Sequence, residues 1–255
     1  MVRKLLILWF FLGLALPMLA GPAAGGTQEL TVSAAASLTN AFQELGQGFE
    51  KIHPGTKIIF NFAASGPLLQ QIARGAPVDL FASADERTMD QAQAQGIIVN
   101  RSRKNFVRNR LVLIVPAAEK LGVKVLNDLK WPGIGKIALG NPETVPAGRY
   151  AQEALTRLGL WGALAPKFIF GESVRQVLDY VARGEVDAGL VYVTDAALAA
   201  GKIRTVQELK EHRPIVYPIA VVAASGQKEL AQRFQDYVLS PQGQEILGKY
   251  GFGPP

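Results

Sequence analysis

Four times along this chain a short apolar run ends in mostly small residues with few charges that lead straight into a helical pattern. The four junctions are Ala34-Ala-Ala-Ser-Leu-Thr-Asn40, Phe62-Ala-Ala-Ser-Gly-Pro67, Val145-Pro-Ala-Gly148 and Gly171-Glu-Ser-Val-Arg175. A strand that feeds directly into a helix is the unit of a parallel sheet covered on both faces, so the fold class is α/β. The stretch Gly140-Asn-Pro-Glu-Thr-Val-Pro-Ala-Gly-Arg-Tyr150 shows the device most fully. Pro146 suits the first helical position, where its missing N–H costs nothing. The N–H groups of Ala147, Gly148 and Arg149 are then left without intrahelical acceptors, and the small side chains leave room for a ligand. Such a helix start favours an anion. Ser37 and Ser65 each add a hydroxyl donor to the backbone N–H groups at their junctions.

The remaining pattern fills in the architecture. Strands are expected at 30–33, 57–62, 78–82, 136–139, 167–170 and 188–192. Helices are expected from Ser37, from Ser65, over 86–95, over 150–158 and 173–183, and from Thr194 or Asp195, with closing helices at 229–238 and 242–250. Ser37 and Ser65 read as N-caps. Two longer apolar runs, Arg110 to Val115 and Ile215 to Ala224, read as strands that cross between two lobes. The expected fold is therefore two lobes, each a mostly parallel sheet flanked by helices, joined by two crossing strands. Ligands of such sheets sit at the strand carboxyl ends, here in the cleft between lobes. The division is 1–26 as a signal peptide, 27–110 with 218–255 as lobe I, and 111–217 as lobe II.

A chain of 255 residues suits two domains. With hydrophobic residues at 49% and charged residues at 19%, it is expected to pack as a soluble protein. The absence of cysteine excludes disulfides, thiolate metal sites, cysteine nucleophiles and a lipid-modified N-terminal cysteine. Arg3 and Lys4 precede an apolar run from Leu5 to Leu16, which Pro17 breaks before small residues from Ala20 to Gly26. That run is short for a bilayer span and reads as an export signal, cleaved after Ala20 or nearer Gly25. The mature protein is expected to be periplasmic and soluble. The formal net charge is +6, and loss of Arg3 and Lys4 leaves +4, a mild excess that favours encounter with an anion.

Other chemistries find little support. A serine hydrolase needs a base, and the only histidines are His53, in a Pro-Gly turn, and His212, among Glu211, Arg213 and Pro214. No G-x-S-x-G elbow is present, and Gly133-Ile-Gly135 precedes its strand, which is the wrong order for a dinucleotide fingerprint. No phosphate-binding Walker motif is present either, so nucleotide hydrolysis belongs to a partner. No histidine or carboxylate cluster has metal-ligand spacing, and no cofactor is expected. The basic run Arg101 to Arg110 lacks interleaved stacking aromatics and reads as a solvated face, not a nucleic-acid site.

With these residues in place, the chain resembles the periplasmic molybdate-binding proteins of ABC-type importers. The resemblance is carried by Ala34-Ala-Ala-Ser-Leu-Thr39, Gly75-Ala-Pro-Val-Asp-Leu-Phe-Ala-Ser-Ala-Asp85, Gly140 to Ala151, Gly189-Leu-Val-Tyr-Val-Thr-Asp-Ala196 and Gly248-Lys-Tyr-Gly-Phe252. It implies a two-lobed solute-binding fold that closes on molybdate or tungstate, a monomer that serves the permease and ATPase subunits of an importer. By the same resemblance the contacts are the hydroxyls and N–H groups of Ser37 and Ser65, the N–H groups of Ala147 and Val174, and the phenol of Tyr192. Gly66 and Thr194 stand where many relatives carry serine, and neither is expected to touch the ligand. The donor-only set agrees with a proton-free dianion: phosphate near neutral pH carries a proton that needs an acceptor, whereas molybdate, tungstate and sulfate do not. The alternatives are a binder of another tetrahedral oxyanion such as sulfate and, further off, an α/β hydrolytic enzyme.

Overall fold

The structure, a computed structural model, describes residues 27–255. The expected signal segment 1–26 lies outside the described residues. Two five-stranded sheets carry the fold. The first contains β1 (Gln28–Ala35), β2 (Thr56–Ala63), β3 (Leu80–Ala82), β4 (Lys104–Asn109) and β10 (Ile215–Val221). The second contains β5 (Leu111–Pro116), β6 (Ile137–Gly140), β7 (Phe168–Gly171), β8 (Ala188–Tyr192) and β9 (Ile203–Leu209). Helices α1 (Thr39–Ile52), α2 (Ser65–Ala73), α3 (Glu86–Ala94), α8 (Lys228–Leu239) and α9 (Pro241–Lys249) go with the first sheet. Helices α4 (Pro146–Arg157), α5 (Trp161–Leu164), α6 (Val174–Ala182) and α7 (Val193–Leu198) go with the second.

The two sheets share one wiring. Their strand orders are β2-β1-β3-β10-β4 and β7-β6-β8-β5-β9. In each, three parallel strands are followed by one antiparallel strand, β10 or β5, and by an edge strand that runs with the first three, so each sheet is mixed. β1 and β6 hold equivalent places: the chain leaves each to one side and returns on the other. The crevice at the carboxyl end of such a strand is where this class of sheet binds ligands.

Register then sets the site. Ala35 at the end of β1 lies opposite Ala63 at the end of β2, so Ser37 and Ser65, each two residues on, leave the sheet side by side. Gly140 of β6 lies opposite Gly171 of β7, which brings the starts of α4 and α6 together. Gly148, expected to make room for a ligand, serves packing instead. A Cβ there would stand 2.0 Å from the Gly140 carbonyl oxygen, so only glycine lets α4 close onto β6.

Several expectations change in detail. The long apolar runs are not bridges: β5 lies between β8 and β9, and β10 between β3 and β4, each wholly inside one sheet. They are apolar because both faces are covered. The chain passes between sheets at Arg110 and over 210–214, so the boundary expected at 217/218 falls inside β10. The run Arg101 to Arg110, read as a solvated face, contains β4. Its Phe106, Val107 and Asn109 are buried while Lys104, Asn105 and Arg108 face out. β9 was not anticipated, for the same reason: as an edge strand it carries outward polar residues that protect its open side.

Candidate functional site

Ser37, Ser65, Ala147, Val174 and Tyr192 all line one cavity of about 10 Å³ between the two sheets. Ala35, Ala36, Ala64, Ala84, Val145 and Pro146 complete its wall, and no lining side chain is an acid or a base of the Asp, Glu, Lys, Arg or His type. A larger cleft of about 620 Å³ lies nearby, but it is lined by Asp85, Glu86, Asp90 and Glu153 together with Arg87, Arg149, Arg157 and Arg213, a mixture that favours no single charge.

Each wall residue arrives by its position at an element end. Ser65 is the first residue of α2 and Val174 the first of α6, while Ala147 is the second of α4, after Pro146. Their N–H groups therefore have no acceptor one turn back. Ser37 sits in a 3-10 turn, Ala36–Leu38, that precedes α1. Neither Ser37 nor Ser65 caps its helix, contrary to expectation. The Ser65 hydroxyl oxygen accepts from the Ala84 N–H at 2.9 Å, and the Ser37 hydroxyl lies 2.9 Å from that of Tyr217. Both serines are buried, and partners outside their own helices take the hydroxyls. Ser173 does cap α6, accepting from Gln176 N–H at 3.2 Å.

Tyr192, at the end of β8, is 1% exposed, and its hydroxyl has no hydrogen-bond partner among the described residues. An orphaned buried hydroxyl costs about 1–3 kcal/mol, which a ligand oxygen would recover. Burial pushes its phenol, and that of Tyr217, well above the ordinary tyrosine range, so both stay neutral donors.

Charges ring the site without entering it, and they tie the lobes together. Arg149 of α4 reaches Asp85 at 2.7 Å and the Thr88 hydroxyl at 2.8 Å, both on the opposite lobe. Arg175 of α6 pairs with the buried Asp195 of its own lobe and donates to Asn40 Oδ1, 2.9 Å away across the cleft. The Gly66 N–H donates to the Thr144 carbonyl at 3.1 Å, also across the cleft. Burial pushes the Asp195 carboxyl up to about 6, although Arg175 opposes the shift.

The arrangement is that of a closed two-lobed binder, and the comparisons decide which. Residues 30–253 match the bacterial extracellular solute-binding protein family. The chain belongs to that family. These are binding proteins and not enzymes, so the hydrolytic reading is set aside. The solute-binding chain is 40% identical to the molybdate-binding protein ModA of Escherichia coli (strain K12), covering 99% of both sequences. It is 42% identical to the putative ABC transporter substrate-binding lipoprotein YvgL of Bacillus subtilis (strain 168), covering 88% of this chain and 85% of that one. The periplasmic molybdate-binding protein of Azotobacter vinelandii superposes with a TM-score of 0.78 at 28% identity, covering 89% and 99% of the two chains.

Four residues around this solute-binding site were given no role by the sequence reading. Asn109 and Tyr217 stand behind Ser37, and Gly66 sits at the lobe contact. Thr194 has a role too, since its hydroxyl accepts from Asn109 Nδ2 at 2.9 Å. His53 packs on Phe49 and His212 lies near backbone carbonyls, and neither lines the cavity. Among the described residues no helix is long and apolar enough to cross a membrane, and no cluster of three acids or histidines could hold a metal ion.

Proposed function

We propose that this protein captures molybdate, and tungstate with it, between its two lobes and presents the ion to the permease and ATPase subunits of an ABC importer. It works as a monomer in the periplasm, with its N-terminal signal segment removed on export. The observation that carries this reading is the convergence of Ser37, Ser65, Ala147, Val174 and Tyr192 on one uncharged cavity. At about 10 Å³ that cavity lies far below the roughly 300–1,000 Å³ of organic-ligand pockets and leaves room only for something small. The relatives named as molybdate-binding proteins favour molybdate among the proton-free dianions.

The binding chemistry follows from the donors. The hydroxyls and N–H groups of Ser37 and Ser65, the N–H groups of Ala147 and Val174, and the Tyr192 hydroxyl surround the four oxygens with hydrogens. The helix starts add the positive ends of their dipoles, so the dianion is balanced without a buried counter-charge. Such bonds to a charged acceptor are worth about 1.5–3 kcal/mol each. Thermal shifts and calorimetry over molybdate, tungstate, sulfate, phosphate and chromate test the reading. Molybdate and tungstate are expected to give the largest stabilisation; a sulfate response equal to or larger than theirs replaces molybdate with sulfate.

A further inference from the structure

Behind Ser37 lies a buried chain of polar groups with a fixed direction. The Asn109 side-chain oxygen accepts from the Arg110 N–H at 2.9 Å, which turns the amide nitrogen the other way. That nitrogen lies 3.1 Å from the Tyr217 hydroxyl and 2.9 Å from the Thr194 hydroxyl. An amide nitrogen only donates, so the Tyr217 oxygen is an acceptor towards Asn109. Tyr217 is 0% exposed, and its other polar neighbour is Ser37 Oγ at 2.9 Å. The Tyr217 proton must then go to Ser37 Oγ, because any other direction leaves it buried without an acceptor, at about 1–3 kcal/mol. With that position on Ser37 Oγ filled by an incoming proton, the serine's own proton is free for the cavity. Turning a lone pair to the cavity would strand that proton against the alanine wall. Ser65 is set in the same sense from its own side, since Ser65 Oγ already accepts from Ala84 N–H.

We propose that Asn109 and Tyr217 are positioning residues that fix Ser37 as a hydrogen-bond donor, and that this polarity makes the site favour fully deprotonated dianions over singly protonated ones of equal charge. The proposal rests on the oxyanion-binding reading above. Neither residue lines the cavity, so their effect reaches the ligand only through the direction of one proton.

Two substitutions separate this from a structural role. Tyr217→Phe keeps the ring and deletes the hydroxyl, which frees Ser37 Oγ to rotate. Asn109→Asp reverses the relay: the carboxylate accepts the Tyr217 proton, Tyr217 in turn accepts from Ser37, and Ser37 presents a lone pair to the cavity. Molybdate and hydrogen phosphate both carry two negative charges at about pH 8, so a carboxylate behind the site repels both alike. The ratio of their affinities, measured by calorimetry, therefore reads proton polarity and not charge. It is expected to fall several-fold in Tyr217→Phe and at least about ten-fold in Asn109→Asp, with melting of the ligand-free proteins confirming that each is folded. A wild-type ratio in a folded Tyr217→Phe protein overturns the proposal, whatever Asn109→Asp does. A wild-type protein that binds no oxyanion overturns the functional reading itself, and so the two failures are told apart.

Discussion

Position 66 offers a test of lobe closure that changes no residue lining the cavity. Gly66 is the second residue of α2, directly after Ser65, and its N–H reaches Thr144 on the other lobe, three residues before Ala147. A Cβ on Gly66 would meet the Thr144 carbonyl oxygen at 2.5 Å and its Cα at 3.0 Å. Ordinary contact begins at 3.4 Å, so the oxygen is 0.9 Å too close, and it belongs to backbone that cannot swing aside. In Gly66→Ala the lobes must part by about that amount at this point. The 3.1 Å interlobe hydrogen bond then stretches to about 4 Å and is lost, at about 0.5–1.5 kcal/mol. Ser65 and Ala147 move apart with it, weakening at least one charge-assisted bond worth about 1.5–3 kcal/mol. The sum is about 2 kcal/mol or more, roughly 30-fold in Kd. In the ligand-free protein the sign is reversed: alanine inside a helix is better than glycine by about 0.5–1 kcal/mol. Calorimetry with molybdate beside melting of the ligand-free protein should thus show weaker binding by a protein at least as stable. An affinity within two-fold of wild type would mean that the closed contact at Gly66 is irrelevant to holding the ligand.

Other expectations are shorter to state. Tyr192→Phe removes a buried hydroxyl that has no protein partner, so the ligand-free protein should gain about 1 kcal/mol in denaturant unfolding while molybdate affinity drops about 10-fold or more. Asp195 has a folded value of about 6 against an ordinary value of 3.8, so the folded state holds its proton more tightly than the unfolded chain does. Its contribution to stability is therefore full below about pH 4 and is lost as pH rises through about 6, a change of roughly 3 kcal/mol. Unfolding curves across that window should be flatter in Asp195→Asn; an unchanged slope refutes the assignment.

The parts of the fold legible in the sequence were those governed by local rules. Pro146 begins α4 as its chemistry dictates, α6 falls within the expected 173–183, and β8 runs over the expected Ala188–Tyr192. The junctions stood out because a strand gives way to a helix at each, the family resemblance singled out Ser37, Ser65, Ala147, Val174 and Tyr192, and those five line one cavity. What escaped depended on partners far off in the chain. Ser37 meets Tyr217 at a separation of 180 residues, and Asn109 meets the same phenol at 108, so no window of sequence contains both ends. Ser37 and Ser65 looked like caps because a serine before a helix has that option locally; tertiary partners took the hydroxyls instead. Gly66 and Thr194 were noted only as departures from the relatives' serine with no expected ligand contact, yet one lies at the lobe contact and the other anchors Asn109. β4 and β9 were hidden by the outward charges that keep strand edges from pairing further.

The wiring of the two sheets also bears on the order in which the molecule can assemble. All five strands of the second sheet come from one continuous segment, 111–209. The first sheet instead waits for β10, which must slot between β3 and β4 after the whole second sheet has been synthesised. The C-terminal helices arrive later still, and Phe234 of α8 stacks edge-on with Phe42 and Phe49 of α1, 6.4 and 5.2 Å between ring centres. A chain emerging amino end first would therefore finish its middle before its beginning, leaving β1 to β4 exposed as an incomplete nucleus meanwhile. Losing the last forty residues would spare the later-numbered sheet and ruin the earlier one, so the tail is as much a part of the N-terminal half as the residues that open it.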